Sequence, residues 1–396
     1  MTEMTKENKS VKNFPNLRFP GFEEKWETKK LGEVVKINQG LQIAISERLT
    51  EKREGAYFYI TNEFLKANSI KRYYILNPPK SVICEEEDIL MTRTGNTGQV
   101  VTNVSGAFHN NFFKVAYPEY IVKNFLLNFL KSNKIQNQII RLAGTSTIPD
   151  LNHSDFYKIK IIFPSTQEQK KISTLLSLLA QRIQTQKKII EDNRKMKLEL
   201  SHSLFTKSLK INQRYISKWE EKKLGDISTI LMGQSPDSLA YNTDGKGLPL
   251  IQGNADIVQR FSEPRQFTSQ ITKTCDIGDI ILTVRAPVGY VAKSKHFACI
   301  GRGVCTIKSN EKSDSEFIYQ FLLYFENKWA SFEQGSTFTS VNSSDIKVIK
   351  LNIPTIKEQK EIAQFLKAFD EKINLENELL TQYENQKKYL LQNLFV

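Results

Sequence analysis

Pro164-Ser165-Thr166-Gln167-Glu168-Gln169-Lys170-Lys171-Ile172 is answered, 190 positions later, by Pro354-Thr355-Ile356-Lys357-Glu358-Gln359-Lys360-Glu361-Ile362. Each segment reads as the start of a helix. Ser165 or Thr166 in the first and Thr355 in the second are N-cap candidates, because a side-chain oxygen there accepts from a backbone N–H that has no partner within the helix. Glu168 and Glu358 place negative charge in the first turn, where the helix dipole favours it. Beyond each start, about forty residues contain neither proline nor glycine, the two residues that break helices.

Those runs carry helical periodicity. Ile172, Leu176, Leu179, Ile183, Ile190, Leu200 and Leu204 fall on alternating spacings of four and three or their multiples. Ile362, Leu366, Phe369, Ile373, Leu380, Leu390 and Leu394 hold the same places 190 residues later. This is an a/d stripe with polar interruptions at Gln186, Asn193, Glu376 and Lys387. Forty helical residues extend roughly 60 Å. A domain of about 140 residues is too small to cover such a helix end to end, so the two stripes are expected to pack on each other as a coiled coil. The pair could run parallel or antiparallel. The antiparallel arrangement is expected, with one globular domain at each end and a pseudo-twofold axis across the helices.

Outward from the helices, the chain is written twice. Trp26-Glu27-Thr28-Lys29-Lys30-Leu31-Gly32-Glu33 recurs as Trp219-Glu220-Glu221-Lys222-Lys223-Leu224-Gly225-Asp226. Asp88-Ile89-Leu90-Met91-Thr92 with Gly98 recurs as Asp279-Ile280-Ile281-Leu282-Thr283 with Gly289, and Asn152-His153-Ser154-Asp155 as Asn342-Ser343-Ser344-Asp345. Blocks in one order with a slowly drifting offset mark a duplicated module. Between Trp26 and Phe163, and between Trp219 and Ile353, short apolar runs broken by turn residues predict strands with short helices among them. The expected organisation is a disordered tail at 1–14, a first α/β (α+β) domain at 15–163 and a first helix at 164–208. A linker at 209–216, a second domain at 217–353 and a second helix at 354–396 complete it.

Composition limits the function. Forty per cent hydrophobic and ten per cent aromatic content indicate a globular chain. No apolar run approaches the length of a membrane span, and the Lys-rich start has no signal-peptide core, so a cytoplasmic protein without a membrane partner is expected. Cys84, Cys275, Cys299 and Cys305 form no C-x-x-C pair; reduced thiols are expected, not a zinc site. A net charge of +13 favours a polyanionic partner.

Pro15-Asn16-Leu17-Arg18-Phe19-Pro20-Gly21-Phe22, followed by Trp26 and Lys30-Leu31-Gly32, resembles the opening of specificity (S) subunits of type I restriction–modification systems. The two Pro-x-x-x-Glu-Gln-x-x-Ile segments look like that family's conserved regions. The resemblance covers nearly the whole chain; its departure is Arg214-Tyr215-Ile216-Ser217, which replaces the Pro/Gly-rich opening in the second copy. It implies two target-recognition domains that read a bipartite double-stranded DNA target with an unspecified spacer. It also implies two modification (methyltransferase) subunits that methylate adenine N6 with S-adenosylmethionine, and two restriction subunits that use ATP and Mg. No cofactor is expected on this chain itself.

Base reading needs donors and acceptors on loops, and phosphate contacts need Lys and Arg. Arg93-Thr94-Gly95-Asn96-Thr97-Gly98 is one candidate loop, with Arg93, Asn96 and Thr97 as contacts and Arg285-Ala286-Pro287-Val288-Gly289 as the expected counterpart, Arg285 matching Arg93. Gly144-Thr145-Ser146-Thr147 and Gly335-Ser336-Thr337 form a second pair, contributing Ser146, Thr147, Ser336 and Thr337. Arg48, Arg53, Lys71 and Arg72 in the first copy and Arg260, Arg265 and Arg302 in the second are further DNA-binding candidates. They differ between copies, as two domains reading different half-sites require.

An enzyme is disfavoured. Asn77-Pro78-Pro79-Lys80 resembles the Asn-Pro-Pro-aromatic motif of adenine methyltransferases, but Lys80 replaces the aromatic residue that stacks on a flipped base. No Gly-rich cofactor loop precedes it, and there is no Walker A sequence. Two other readings stand beside the specificity subunit: a coiled-coil scaffold that binds DNA without reading sequence, and a fused methyltransferase–specificity chain.

Overall fold

The computed structural model describes residues 14–66, 68–144, 149–206, 219–333 and 340–395, with the side chains of 330–333 set aside. The expected tail therefore lies, apart from Phe14, outside the described residues, as does the expected 209–216 linker. The chain divides into two compact units, Met1–Thr185 with Leu380–Val396, and Gln186–Leu379.

In the first unit, the strands Lys36–Gln39, Phe112–Ala116, Ile89–Thr92 and Val100–Val101 form an antiparallel sheet in that spatial order. Ile89, Leu90, Met91 and Thr92 are all buried, which explains why this stretch reads as an uninterrupted apolar run: both faces are covered. A second sheet orders Tyr74–Leu76, Ala56–Ile60, Gly106–Phe108 and Ile83–Cys84. The helices Lys123–Lys131 and Asn133–Ala143 pack on the first sheet through Phe125, Leu126, Phe129, Ile135 and Ile139.

The second unit repeats this plan with additions. Ser228–Met232, Val304–Ser309, Ile280–Thr283 and Val291–Lys293 form the matching antiparallel ladder, extended by Phe261–Ser262 and Ile257–Val258. One helix, Ser315–Glu333, takes the place of the two in the first unit and buries Phe317, Ile318, Phe321 and Leu322.

The repeated sequence blocks form the joint between domain and long helix. Glu27–Lys30 pairs antiparallel with Lys160–Phe163, and Glu220–Lys223 with Lys350–Ile353. Trp26 Nε1 donates to Glu168 at 3.2 Å, and Trp219 Nε1 to Glu358 at 3.1 Å. The neighbouring glutamine acts as a clamp in both copies. Gln169 Nε2 donates to the carbonyls of Pro164 and Tyr120, and its Oε1 accepts from Val122 N. Gln359 Nε2 donates to Pro354 and Lys312, and its Oε1 accepts from Asp314 N. Both glutamines are buried, so each bond is made where water cannot replace it. Asn152 and Asn342 cap short helices that follow, accepting from Asp155 N and from Ser344 N and Asp345 N.

The long helices span Thr166–Phe205 and Ile356–Asn393. Within the first unit, Ile172 and Leu176 share a core with Leu394 from the far end of the second helix, and the Arg182 guanidinium lies 4.9 Å from the Tyr383 ring centre. Within the second, Gln186 Nε2 donates to Glu376 O at 3.0 Å and to its carboxylate at 2.5 Å, and Lys197 pairs with Asp370 at 2.6 Å. Numbers rise along one helix as they fall along the other, so in each unit the helices run antiparallel. This is the expected antiparallel arrangement, and the parallel alternative is removed.

The ends of the seam are shared with the domains. Leu179, Ile190 and Ile373 are buried, while Ile183, Phe369 and Leu380 are half-buried. Ile172 and Leu176, however, lie in the first domain's core, and Ile362 and Leu366 in the second's. The end of the first helix also belongs to a domain core: Phe205 packs its ring against Phe317, Phe321 and Tyr324 at 5.4–5.5 Å. A 3.5-residue period records that a face is covered, not what covers it. Burying each such aromatic stabilises by roughly 2–3 kcal/mol, so the domains grip the helix ends.

Candidate nucleic-acid interface

In each domain several loops meet at one end of the antiparallel sheet, away from the joint. In the first domain, the Phe112–Ala116 strand leads at its far end toward Tyr120, which Gln169 clamps. Its near end carries the turn His109-Asn110-Asn111. Gly40 N donates to Phe112 O, Leu41 N to Phe108 O and Arg93 N to Asn111 O, at 2.7–3.1 Å. The second domain repeats each bond: Gly233 N to Val304 O, Gln234 N to Ile300 O and Val284 N to Gly303 O, at 2.9–3.0 Å. Gly40 and Gly233 are required by this contact. A Cβ would lie 2.3 Å from His109 O at the first and 2.1 Å from Gly301 O at the second.

These bonds correct one expected correspondence. Thr92 and Thr283 are equivalent: the hydroxyl of each accepts from the backbone N–H seven residues on and donates to the carbonyl four residues on. Arg93 therefore matches Val284, and Arg285 matches Thr94. Backbone bonds agree, with Leu151 N donating to Arg93 O and Val341 N to Val284 O, and the bridges Thr94↔Asp150 and Arg285↔Ser340. Val284 is buried. Arg93 reaches around with both Nε and Nη2 to Asp150, at 2.9 and 2.6 Å, and this pairing raises the already high guanidinium pKa. Arg93 thus braces its loop against the segment before Asn152, while Arg285 is exposed.

The remaining candidates fall into four groups. Asn96 is exposed on the same loop, whereas the Thr97 hydroxyl donates to Arg93 O and Pro149 O within it. Arg302 is exposed, its backbone N–H and Nε both on the Ser235 hydroxyl at 3.0 and 3.3 Å. Ser146, Thr147, Ser336 and Thr337 lie outside the described residues.

Of the other basic side chains, Arg48, Arg53, Lys71 and Arg72 stand on loops that flank the second sheet of the first domain, Arg260 in the turn between Ile257–Val258 and Phe261–Ser262, and Arg265 just before the strand Gln266–Thr268. Arg48 donates to Ile43 O and lies over Tyr59 and Tyr73. Arg72 donates to the carbonyls of Ser69 and Lys71, while Lys71 and Arg53 are exposed. Arg265 pairs at 3.0 Å with the buried Asp256. Arg260 is turned inward. Its two terminal nitrogens meet the Glu326 carboxylate, one also donates to Val291 O, and the group lies 4.1 Å from the Tyr290 ring centre. Such a paired and stacked guanidinium holds the helix Ser315–Glu333 to the sheet.

Sequence inspection missed Gln42, Asn110 and Ser235. Gln42 accepts from Asn110 Nδ2 at 2.8 Å, at the place where Ser235 meets Arg302. Gly40 and Gly233 were the available signal: they are 193 residues apart, as are Trp26 and Trp219.

The type I restriction modification DNA specificity domain matches residues 23–192 and again 216–385, each span holding one domain and the first part of the helix that follows it. The chain belongs to that family. It is a type I specificity subunit with two DNA specificity domains, not a catalytic subunit. A putative type I restriction enzyme MjaX specificity subunit of Methanocaldococcus jannaschii is 34% identical over 285 residues, 69% of this chain and 66% of that protein. The MjaVIII specificity subunit of the same organism is 26% identical over 408 residues, covering 96% and 94%. The fold resembles the crystal structure of a type I restriction–modification S subunit from M. genitalium, with a TM-score of 0.61 and 18% identity over 97% of this chain and 99% of that one. A chain from a structure concerning assembly and conformational transition of the type I R-M system gives 0.61 and 21%, over 93% and 97%. Among the described residues of this specificity subunit, no His, Cys, Asp and Glu side chains group to hold a metal, and no helix is long and apolar enough to cross a membrane. The four cysteines are buried and unpaired; burial raises the Cys84 thiol pKa to about 11 and that of Cys305 to about 12.

His109 gives the first domain a pH dependence. Its Nδ1 accepts from Asn111 N at 3.1 Å, and burial, helped by nearby Arg48, lowers its pKa to about 4. An unfolded histidine titrates near 6.5. Between these values the unfolded chain binds more protons, so stability is complete above about pH 6.5 and is lost as pH falls toward 4. At most about 3 kcal/mol is involved, reduced by solvent at the half-buried ring. Unfolding of the parent and of His109→Gln, compared at pH 7 and pH 4.5, should show the parent losing more. Equal losses would contradict the assignment.

Proposed function

We propose that this chain reads a bipartite double-stranded DNA target, each domain recognising one half-site across a spacer of unspecified sequence. The observation that carries this is a duplicated scaffold whose backbone bonds match while the side chains at the loop end differ. A scaffold that binds DNA without reading sequence has no use for such divergence. The chain assembles with two modification subunits and two restriction subunits in the cytoplasm. S-adenosylmethionine, ATP and Mg bind those partners and not this chain, whose Asn77-Pro78-Pro79-Lys80 segment supplies no aromatic stacking residue. A net charge of +13 supplies phosphate contacts, so affinity should fall with salt as counterions are released.

The test is methyl transfer from labelled S-adenosylmethionine to DNA, by the chain alone and with its modification subunit, followed by mapping of the modified adenines. The chain alone should transfer nothing. The complex should modify a split motif, with affinity falling steeply between 50 and 200 mM salt. Transfer by the chain alone supports the fused-enzyme reading; modification without a motif supports the scaffold.

A further inference from the structure

Three positions at the loop end of each domain are equivalent by backbone bonding yet differ in side chain. Gln42 matches Ser235, because Gly40 and Gly233 make the same bond to the strand that follows the turn. Asn110 matches Arg302, because His109 N donates to Ile60 O as Gly301 N donates to Ile251 O. Thr94 matches Arg285 through the bridges to Asp150 and Ser340. Within each domain the first two positions touch: Asn110 Nδ2 donates to Gln42 Oε1 at 2.8 Å, and Arg302 N donates to Ser235 Oγ at 3.0 Å. The first set is uncharged, with two amides. The second holds two exposed guanidinium groups.

We infer that these three matched positions set which bases the two domains read, and that Arg285 and Arg302 give the second domain a half-site containing guanine. The inference rests on the DNA-reading function proposed above. Its chemistry is direct. A guanidinium offers two parallel donors that fit guanine O6 and N7, whereas a carboxamide offers one donor and one acceptor, which fit adenine N6 and N7. Backbone held by the ladder and by close glycine contacts fixes where each side chain starts, so changing the side chain changes the base read and leaves the fold alone. Arg93, Arg260 and Arg265, each tied to a carboxylate, are excluded from this role.

The experiment uses the full chain with its modification subunit. The motif is first mapped by methylome sequencing, and binding is then measured on duplexes carrying that motif or single base-pair changes in it. Arg302→Ala should relax one G·C position in the half-site assigned to residues 217–353. Discrimination there should drop by roughly 5- to 150-fold, with the other half-site unchanged. Arg302→Gln should shift the preference at that position toward adenine, and Gln42→Ala should relax only the opposite half-site. An unchanged motif would overturn the inference. So would equal loss on cognate and mismatched duplexes with a salt slope reduced by about one, the signature of a phosphate contact. Retention of the untouched half-site shows that each variant has folded, and Arg285→Ala gives an independent readout at a second position. A parent complex with no split motif would instead defeat the underlying function.

Discussion

Replacing Glu168 with leucine should destabilise the first domain by about 3 kcal/mol or more, the expected effect of leaving a partly buried charge without its partner. Glu168 is 1% exposed and accepts from three donors: Arg18 Nε and Nη2, each at 2.9 Å, and Trp26 Nε1 at 3.2 Å. The carboxylate pairing raises the Arg18 pKa further. Removing it leaves an 18%-exposed guanidinium with the Glu24 carbonyl but no carboxylate, and strands an indole N–H in a 2%-exposed tryptophan. It also takes negative charge from the first turn of a forty-residue helix. Glu168→Gln keeps hydrogen-bonding capacity and should cost about 1–2 kcal/mol. Chemical unfolding of the full chain, followed by tryptophan fluorescence, measures both. A Leu variant within about 0.5 kcal/mol of the parent, the range of an ordinary surface substitution, would show that this triad does not hold the joint.

The joint was the most legible part of the sequence, for a physical reason. Trp26 and Trp219, Glu168 and Glu358, and Gln169 and Gln359 are buried or half-buried groups whose polar atoms must find fixed partners. That requirement is the same in both copies, so the residues stay the same and the repeat shows through. The long helices were legible because no proline or glycine interrupts them. Their contact partners were not. Ile172 and Leu204, at opposite ends of the first stripe, both face domain cores, and periodicity alone is silent on that choice.

The loop end was the least legible. Arg93 and Arg285 stand at similar distances from a shared glycine and invite pairing. The repeat of Asp88–Thr92 as Asp279–Thr283 already sets Arg93 against Val284, and the hydrogen bonds of Thr92 and Thr283 and the bridges beside them show the one-residue slip. Gln42 and Ser235 are marked in the sequence by nothing but the matched glycines two residues before them, and Asn110 by no repeat. Gln42 and Asn110 are brought together by a tertiary contact between a strand end and a turn 68 residues away.

Exchanging residues 217–353 for the equivalent segment of a relative with a different target should replace one half-site completely and leave the other intact. The effect should be all-or-none, because wrong base pairs at several positions of a half-site each cost about 1–3 kcal/mol and add. The cut points fall just before the Glu220–Lys223 strand and at the end of its partner Lys350–Ile353, so the two-stranded ladder travels with the domain and both long helices are kept. Methylome sequencing of cells carrying the exchanged chain with its modification subunit is the most direct measurement of whether each domain reads its own half of the target. The expected result is a split motif with one half from each parent. A motif altered in both halves, or unaltered in either, would contradict it.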